Sequence, residues 1–152
     1  MNPEKYTIKL REGLNSSLSL ASKNGNPEIN AEHLLLVLIE QSDGLAKPLL
    51  EKLGVSVSAL EGRLKDAVAA FAKVRGGAQP QMSQELRLLL EEAESQMSAL
   101  RDEFTSVEHF LLALAGSNCA TGHIHFVDRA RTDRATAKCV CAFEILIRHR
   151  SK

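Results

Sequence analysis

Apolar side chains recur at three- and four-residue spacing through most of the first 116 residues, and this spacing predicts amphipathic helices. The first predicted helix runs from about Glu4 to Lys23, with Asn2 as its N-cap, Pro3 in its first turn and Gly25 as its stop. A helix with one apolar stripe buries that stripe against other helices. The stripe of this helix consists of Ile8, Leu10, Leu14, Leu18 and Ala21.

Three further helices are predicted before residue 72. Asn30 is placed to cap the second helix, and Glu32 lies in its first turn, near the positive end of the helix dipole. A short helix is expected over about 45–53, and a longer one begins at Ser56 or Ser58. Glycine and proline then cluster over 75–80, which indicates a flexible connection.

The chain repeats itself at a distance of 76 residues. Helical periodicity resumes at Ser83, and Ser106 is placed to cap a further helix at the position that matches the cap Asn30. Because helix-start chemistry is repeated together with the apolar pattern, we predict an all-α fold of two packed pseudo-repeats. The identical pairs are Leu10–Leu86, Arg11–Arg87, Leu14–Leu90, Ser19–Ser95, Ser22–Ser98, Glu32–Glu108, His33–His109, Leu35–Leu111, Leu36–Leu112 and Leu38–Leu114.

Composition narrows the function classes. Aromatic residues make up 4% of the chain, which disfavours β-sandwiches, base-stacking platforms and aromatic ligand cages. Nineteen basic and nineteen acidic residues give a net charge of zero, so the net charge gives no reason to expect binding to nucleic acid or to an anionic membrane. The longest apolar runs are too short to cross a bilayer, and the first residues resemble neither a secretory signal nor a transit peptide. We therefore expect a cytoplasmic protein.

Two nine-residue segments at the matching helix starts carry a family resemblance. They are Asn-Ala-Glu-His-Leu-Leu-Leu-Val-Leu at 30–38 and Ser-Val-Glu-His-Phe-Leu-Leu-Ala-Leu at 106–114. Both resemble the paired signature of the Clp repeat domain, the N-terminal domain of Clp unfoldases and disaggregases. Segments 5–7, 25–29 and 50–55 are most similar to the ClpB-type disaggregase branch. The resemblance implies two pseudo-repeats of a four-helix unit.

The resemblance also implies a groove between the repeats that binds unfolded segments or adaptor proteins. On that basis the candidate client-binding residues are Thr7, Glu32, Asp102 and Glu108. The two glutamates either serve only the electrostatics of the helix starts or present negative charge to a basic group of a client. Thr7 matches a threonine near the groove of the resembling family, although a hydroxyl at such a position is also commonly exposed or locally hydrogen-bonded. Asp102 lies in the polar turn before the second signature.

His33 and His109 directly follow the two glutamates. Their Glu-His order differs from the His-Glu-x-x-His arrangement that places two zinc ligands on one helical face. Each histidine is therefore expected to hydrogen-bond a helix-end or loop group.

The last 36 residues differ in kind from the rest. Residues 1–116 hold twelve basic and sixteen acidic side chains, whereas 117–152 hold seven and three, together with all three cysteines. We expect a Clp repeat domain over 1–116, with repeat one over 1–75, a linker over 75–82 and an incomplete second repeat over 83–116. A shift of reading frame near residue 116 is the simplest origin of the divergent tail.

The tail offers two further hypotheses. Soft-metal ligands are available in Cys119, His123, His125, Cys139 and Cys141, although their spacing is not that of a zinc finger. Phosphate-binding cations are available in Arg129, Arg131, Arg134, Lys138, Arg148 and Arg150. Free thiols are the simpler interpretation of the cysteines in a reducing cytosol.

The favoured function is a binding module that recruits unfolded, aggregated or tagged clients to an ATP-dependent Clp chaperone. The resemblance implies no catalytic role and no cofactor, and none of the nine glycines is followed by lysine, as a Walker A loop for ATP hydrolysis requires. ATP would be bound by a separate AAA+ module. The second hypothesis is a stand-alone adaptor or inhibitor of a Clp ring, and the third is a nucleic-acid binder that uses the basic tail.

Overall fold

The computed structural model describes residues 3–52 and 54–120, and these residues are mainly helical, as predicted. The described residues form six α-helices, one short 3₁₀ helix, Pro3–Lys5, and two strands of two residues each. The elements in chain order are α1 (Ile8–Asn24), β1 (Glu28–Ile29), α2 (Ala31–Glu40), α3 (Ala46–Lys52), α4 (Val57–Ala70), β2 (Gln81–Met82), α5 (Gln84–Leu100) and α6 (Val107–Ala120).

The first helix begins later than the sequence predicts. Its N-cap is Thr7, so the prediction of a start near Glu4 is wrong, and Asn2 lies outside the described residues. Tyr6 is held in an extended conformation by a bridge to Thr105, nearly a hundred residues away in the chain. Its ring is buried, and its hydroxyl donates to Glu94 Oε1 at 2.8 Å. Burial and this neighbouring carboxylate raise the pKa of Tyr6, so the hydroxyl remains a donor.

Helix α2 forms the centre of the core. Every residue from His33 to Ile39 is buried, and α1, α3 and α4 pack around the helix. Helix α1 approaches closely at Gly13, where an added Cβ would lie 2.7 Å from Leu38 Cδ2. In the second half α5 and α6 pack on each other in the same way, and both contribute buried leucines to the one core cluster.

Main-chain pairing joins the two halves at the short segments that precede α1, α2, α5 and α6. Strands β1 and β2 pair in parallel, which places Ile29 of the first half opposite Met82 of the second. The 76-residue shift aligns Tyr6 with Met82 and Ile29 with Thr105. The bridge between Tyr6 and Thr105 is therefore the counterpart of the pairing between Met82 and Ile29. These strands were not predicted, because two residues are too few to show an alternating pattern.

The second half is described as far as its second helix. Helix α6 extends to Ala120, past the predicted boundary at residue 116. Counterparts of α3 and α4 would follow it, so the complete four-helix unit of repeat two and the basic tail beyond residue 120 fall outside the described residues. Within the described ranges, each helix is too short or too polar to cross a bilayer.

Helices α1 and α5 end in the same left-handed turn with different residues. Gly25 follows α1 with φ at +73°, and Arg101 takes the matching position after α5 with φ at +60°. In each turn the next amide also hydrogen-bonds back, from Asn26 to Ala21 and from Asp102 to Met97. Glycine adopts this conformation without strain, whereas a side chain meets the following carbonyl oxygen.

We predict opposite effects of exchanging these two residue types. Gly25→Ala lowers the free energy of unfolding by about 1 kcal/mol, and Arg101→Gly raises it by up to about 1 kcal/mol, because only the first change adds a Cβ to a left-handed residue. Urea denaturation followed by circular dichroism measures both values. Destabilisation by Arg101→Gly would contradict the explanation.

Candidate functional site

The start of α1 lies beside the start of α6. The amide of Thr7 donates to Thr105 O at 2.9 Å, and the amide of Thr105 donates to Lys5 O at 2.7 Å. Helix α6 begins two residues after Thr105, and Glu108 lies half-buried in its first turn. We call this region, formed by residues 5–9 and 104–108, the first junction. It contains the predicted site residues Thr7 and Glu108.

The start of α2 lies beside the start of α5 in the same manner. The amide of Ser83 donates to Ile29 O, and the amide of Gln81 donates to Pro27 O, each at 3.0 Å. We call this region, formed by residues 28–32 and 81–85, the second junction. It contains Glu32, whereas Thr7 and Glu108 belong to the first junction, and Asp102 lies two residues before the first junction, in the turn between α5 and α6.

The hydroxyl of Thr7 has a structural role that the sequence left open. Its Oγ1 accepts from the amide of Leu10 at 3.5 Å and caps α1, and Ser83 Oγ accepts from the amide of Leu86 at 3.2 Å and caps α5. Thr7 and Ser83 are thus equivalent in their bonds as well as in the 76-residue alignment. A contact between Thr7 and a client stays a prediction, since the O–H can still donate while the oxygen accepts.

The surroundings of Glu32 shift its pKa. Its side chain is half-buried, and this burial raises the pKa of Glu32. A hydrogen bond to its own backbone opposes the shift, and the negative charge of Glu85, in the first turn of α5, adds to it. The second junction therefore brings two carboxylates near each other.

The first junction differs in charge. The residue that matches Glu85 is Lys9, whose ammonium group lies 3.4 Å from Asp43 Oδ2 and 3.5 Å from Glu12 Oε2. A cation thus stands at the start of α1 where the second junction has an anion. The two junctions share their backbone geometry but present different electrostatics.

Apolar side chains stand exposed at the first junction. Ile8, which follows Thr7, is 65% exposed, and Phe104, which precedes Thr105, is 51% exposed. Ile8 was expected in the buried stripe of α1, but it is the first residue of the helix and its side chain is exposed. Exposed large apolar residues beside main-chain pairing and a carboxylate suit a surface that contacts other polypeptides.

Asp102 hydrogen-bonds within the fold. Its Oδ2 lies 3.0 Å from His109 Nε2, although 42% of its side chain is exposed. The other ring nitrogen of His109 accepts from the amide of Ser106 at 2.9 Å. Asp102 thus supports the start of α6, and its role toward a client stays a prediction.

His33 is built into the matching position of the first half. Its Nδ1 accepts from the amide of Asn30 at 3.0 Å, and its Nε2 lies 3.2 Å from Asn26 Oδ1. The ring stacks on Phe71 at the end of α4, with ring centroids 5.3 Å apart. The prediction that both histidines bond helix-end or loop groups is confirmed.

Three residues of these junctions were missed from the sequence, namely Glu85, Ile8 and Phe104. The 76-residue alignment contained a signal for the charge difference, because it pairs Glu85 with Lys9. Among the described residues no group of three or more His, Cys, Asp and Glu is arranged to hold a metal ion. Four of the predicted tail ligands, His123, His125, Cys139 and Cys141, lie outside the described residues.

Comparison with known proteins agrees with this architecture. The family model described as "Clp repeat (R) N-terminal domain" matches residues 5–124. The chaperone protein ClpB of Mycobacterium leprae is 37% identical over 110 residues, which are 72% of this chain and 13% of that protein. The chain therefore corresponds to a small part of the length of its curated relatives.

Two solved structures show the same fold. The N-terminal domain of Hsp104 from Candida albicans superimposes with a TM-score of 0.78 at 15% identity, over 97% of this chain and 93% of that domain. A ClpV N-domain solved in complex with a VipB peptide superimposes with a TM-score of 0.68 at 20% identity, over 97% of this chain and 86% of the other. The chain belongs to the Clp repeat N-terminal domain family.

Proposed function

We propose that this chain is the client-recruiting module of a ClpB-type ATP-dependent disaggregase, and that it acts in the cytoplasm. It captures unfolded, aggregated or tagged polypeptide and passes it to a AAA+ ring, or binds adaptor proteins that do so. The chain itself performs no reaction and uses no cofactor. ATP is bound and hydrolysed by a separate part of the assembly.

The exposed apolar pair at the first junction carries this proposal. Ile8 and Phe104 flank the main-chain pairing of Thr7 and Thr105, and Glu108 lies in the adjoining first turn of α6. An unfolded segment would bury the two apolar side chains, which stabilises binding by the hydrophobic effect. Its basic groups or free amides would face Glu108. This combination suits sequence-tolerant binding, because apolar burial has no directional requirement.

The second junction adds an acidic subsite. Glu32 lies beside Glu85, and both carboxylates follow helix starts that are tied together by main-chain hydrogen bonds. A basic side chain of the client would relieve the repulsion between these two acids. The proposal therefore assigns apolar segments to the first junction and neighbouring basic residues to the second. The peptide-bound ClpV N-domain supports the use of this fold for peptide binding.

Removing the two matching charges tests the acidic component. We expect the double variant Glu32→Gln and Glu108→Gln to bind a fluorescently labelled, basic unfolded polypeptide about tenfold more weakly, since each carboxylate contributes a charge-assisted contact. Fluorescence anisotropy measures the dissociation constant, and circular dichroism checks the fold. Glu51→Gln, at an exposed position of α3, is the matched control. Unchanged affinity of the double variant would remove the glutamates from the site.

Removing the apolar pair tests the component that carries the proposal. We expect Ile8→Ser with Phe104→Ser to weaken binding of the same polypeptide by at least about tenfold without loss of stability, because both side chains are already exposed in the free protein. Val74→Ser is the control, since Val74 is 56% exposed but lies beside the opposite end of α1. Equal weakening by the control would indicate nonspecific adhesion and not a site at the first junction.

A further inference from the structure

The two matching histidines hold their helices by unequal sets of hydrogen bonds. In both halves a main-chain amide donates to Nδ1, from Asn30 to His33 and from Ser106 to His109. Because Nδ1 accepts, the proton of the neutral ring is on Nε2. The difference between the halves is in what receives that proton and in what else surrounds Nδ1.

In the first half the ring is the centre of a neutral chain of bonds. His33 Nε2 donates to Asn26 Oδ1 at 3.2 Å, and Asn26 Nδ2 donates to the carbonyl of Ala72 at 3.0 Å. Asn26 and His33 are both buried. This chain joins the start of α2 to the residues that follow α4, and the stacking of His33 on Phe71 reinforces it.

A second proton on His33 is incompatible with this arrangement. It would have to enter at Nδ1, where the amide of Asn30 already points, so two N–H donors would face each other. The resulting positive charge would be buried next to an amide group and a phenyl ring. Burial alone already lowers the pKa of His33.

In the second half the ring lies between a carboxylate and a serine hydroxyl. The carboxylate of Asp102 lies 3.0 Å from His109 Nε2, and Ser106 Oγ lies 2.9 Å from His109 Nδ1. His109 Nε2 thus faces an anion, whereas His33 Nε2 faces a neutral amide. Asn26 stands in the first half where the second half has Asp102.

Charged side chains do not compensate for the burial of His33. The groups that face its ring are Asn26 and Asn30 from the turn before α2 and Phe71 from the end of α4. Within the described part of the chain, no charged side chain of these segments or of their neighbours forms a hydrogen bond or an ion pair with the ring. The charged side chains concerned are Lys23 at the end of α1, Glu28 in β1, Glu32 in α2 and Lys73 after α4.

We propose that His33 is an acid-released latch, in which protonation at Nδ1 breaks the bond to Asn30 and frees the start of α2 from the end of α4. Release would uncouple the residues that lead into the connection over 75–80. It would also move Glu32, which precedes His33, and this last consequence alone rests on the proposed function.

The pH window follows from the direction of the shift. In the open form His33 takes its ordinary pKa of about 6.5, whereas in the closed form the pKa is lower. The open form therefore binds the proton more tightly. The stability of the closed latch is fully present above about pH 6.5 and falls as the pH drops below that value toward the lowered pKa.

Amide hydrogen exchange of the full chain tests the latch without any client. The reporter is the amide of Asn30, which donates to the ring of His33, and the reference is the amide of Thr7, which donates to Thr105 O and not to a histidine. Between about pH 7.5 and about pH 5, after correction for intrinsic exchange, we expect the protection of Asn30 to fall and that of Thr7 to persist, because only the open form of the latch binds the second proton with the ordinary affinity of histidine. Equal losses at both amides, or protection of Asn30 that persists, would overturn the proposal.

Two variants isolate the ring from general acid effects. In His33→Gln the side chain can still accept from Asn30 and donate to Asn26, as a capping-box glutamine does, but it cannot be protonated. We expect the acid loss at Asn30 to disappear in this variant and to persist in His109→Gln. A loss that survives His33→Gln would assign the effect to another group. Because no client is present, failure of these measurements is separate from failure of the proposed function.

Discussion

The whole arrangement depends on main-chain hydrogen bonds that pass between the halves. Thr7 and Thr105 are joined at one helix start, and Ile29 and Ser83 at the other. Backbone pairing fixes relative position more sharply than apolar packing does, because a hydrogen bond is directional and hydrophobic burial is not. The leucines of α1, α2, α5 and α6 can then form one core without having to define the register of the halves.

The same bonds determine what the surface can offer. They bring four helix starts together as two pairs, so charged and polar side chains of the first turns lie in the two junctions. The two pairs then differ in the charge of their side chains. Glu85 lies beside Glu32 at the second junction, whereas the position that matches Glu85 near the start of α1 is Lys9. A duplicated backbone therefore carries two unequal surfaces, and evolution can alter one without disturbing the other.

Local chemistry was predictable from the sequence to the extent that it depends on neighbouring residues. Asn30, Ser56 and Ser83 occupy the predicted N-cap positions, and Gly25 ends α1 in the expected left-handed turn. The start of α1 was misplaced because the conformation of Tyr6 is decided by Thr105, which no local pattern reports.

The candidate site was predictable in the same partial way. The 76-residue alignment identified Glu32 and Glu108, because matching helix starts leave a trace in the spacing of residues. It could not show that Ile8 is exposed, since an apolar residue within a helical stripe has the same spacing whether or not another element covers it. Nor could it show that Asp102 receives the bond of His109, which depends on the path of the turn between α5 and α6.

The reciprocal pairing of Tyr6 with Thr105 and of Ile29 with Met82 has the form that a two-fold axis produces between identical subunits. Here the partners are parts of one polypeptide, tethered by the residues that follow α4. A tether of this kind replaces diffusional encounter by a local concentration on the order of millimolar. Association of the halves is therefore insensitive to dilution, and the assembled bundle persists at protein levels at which two separate subunits with the same contacts would part.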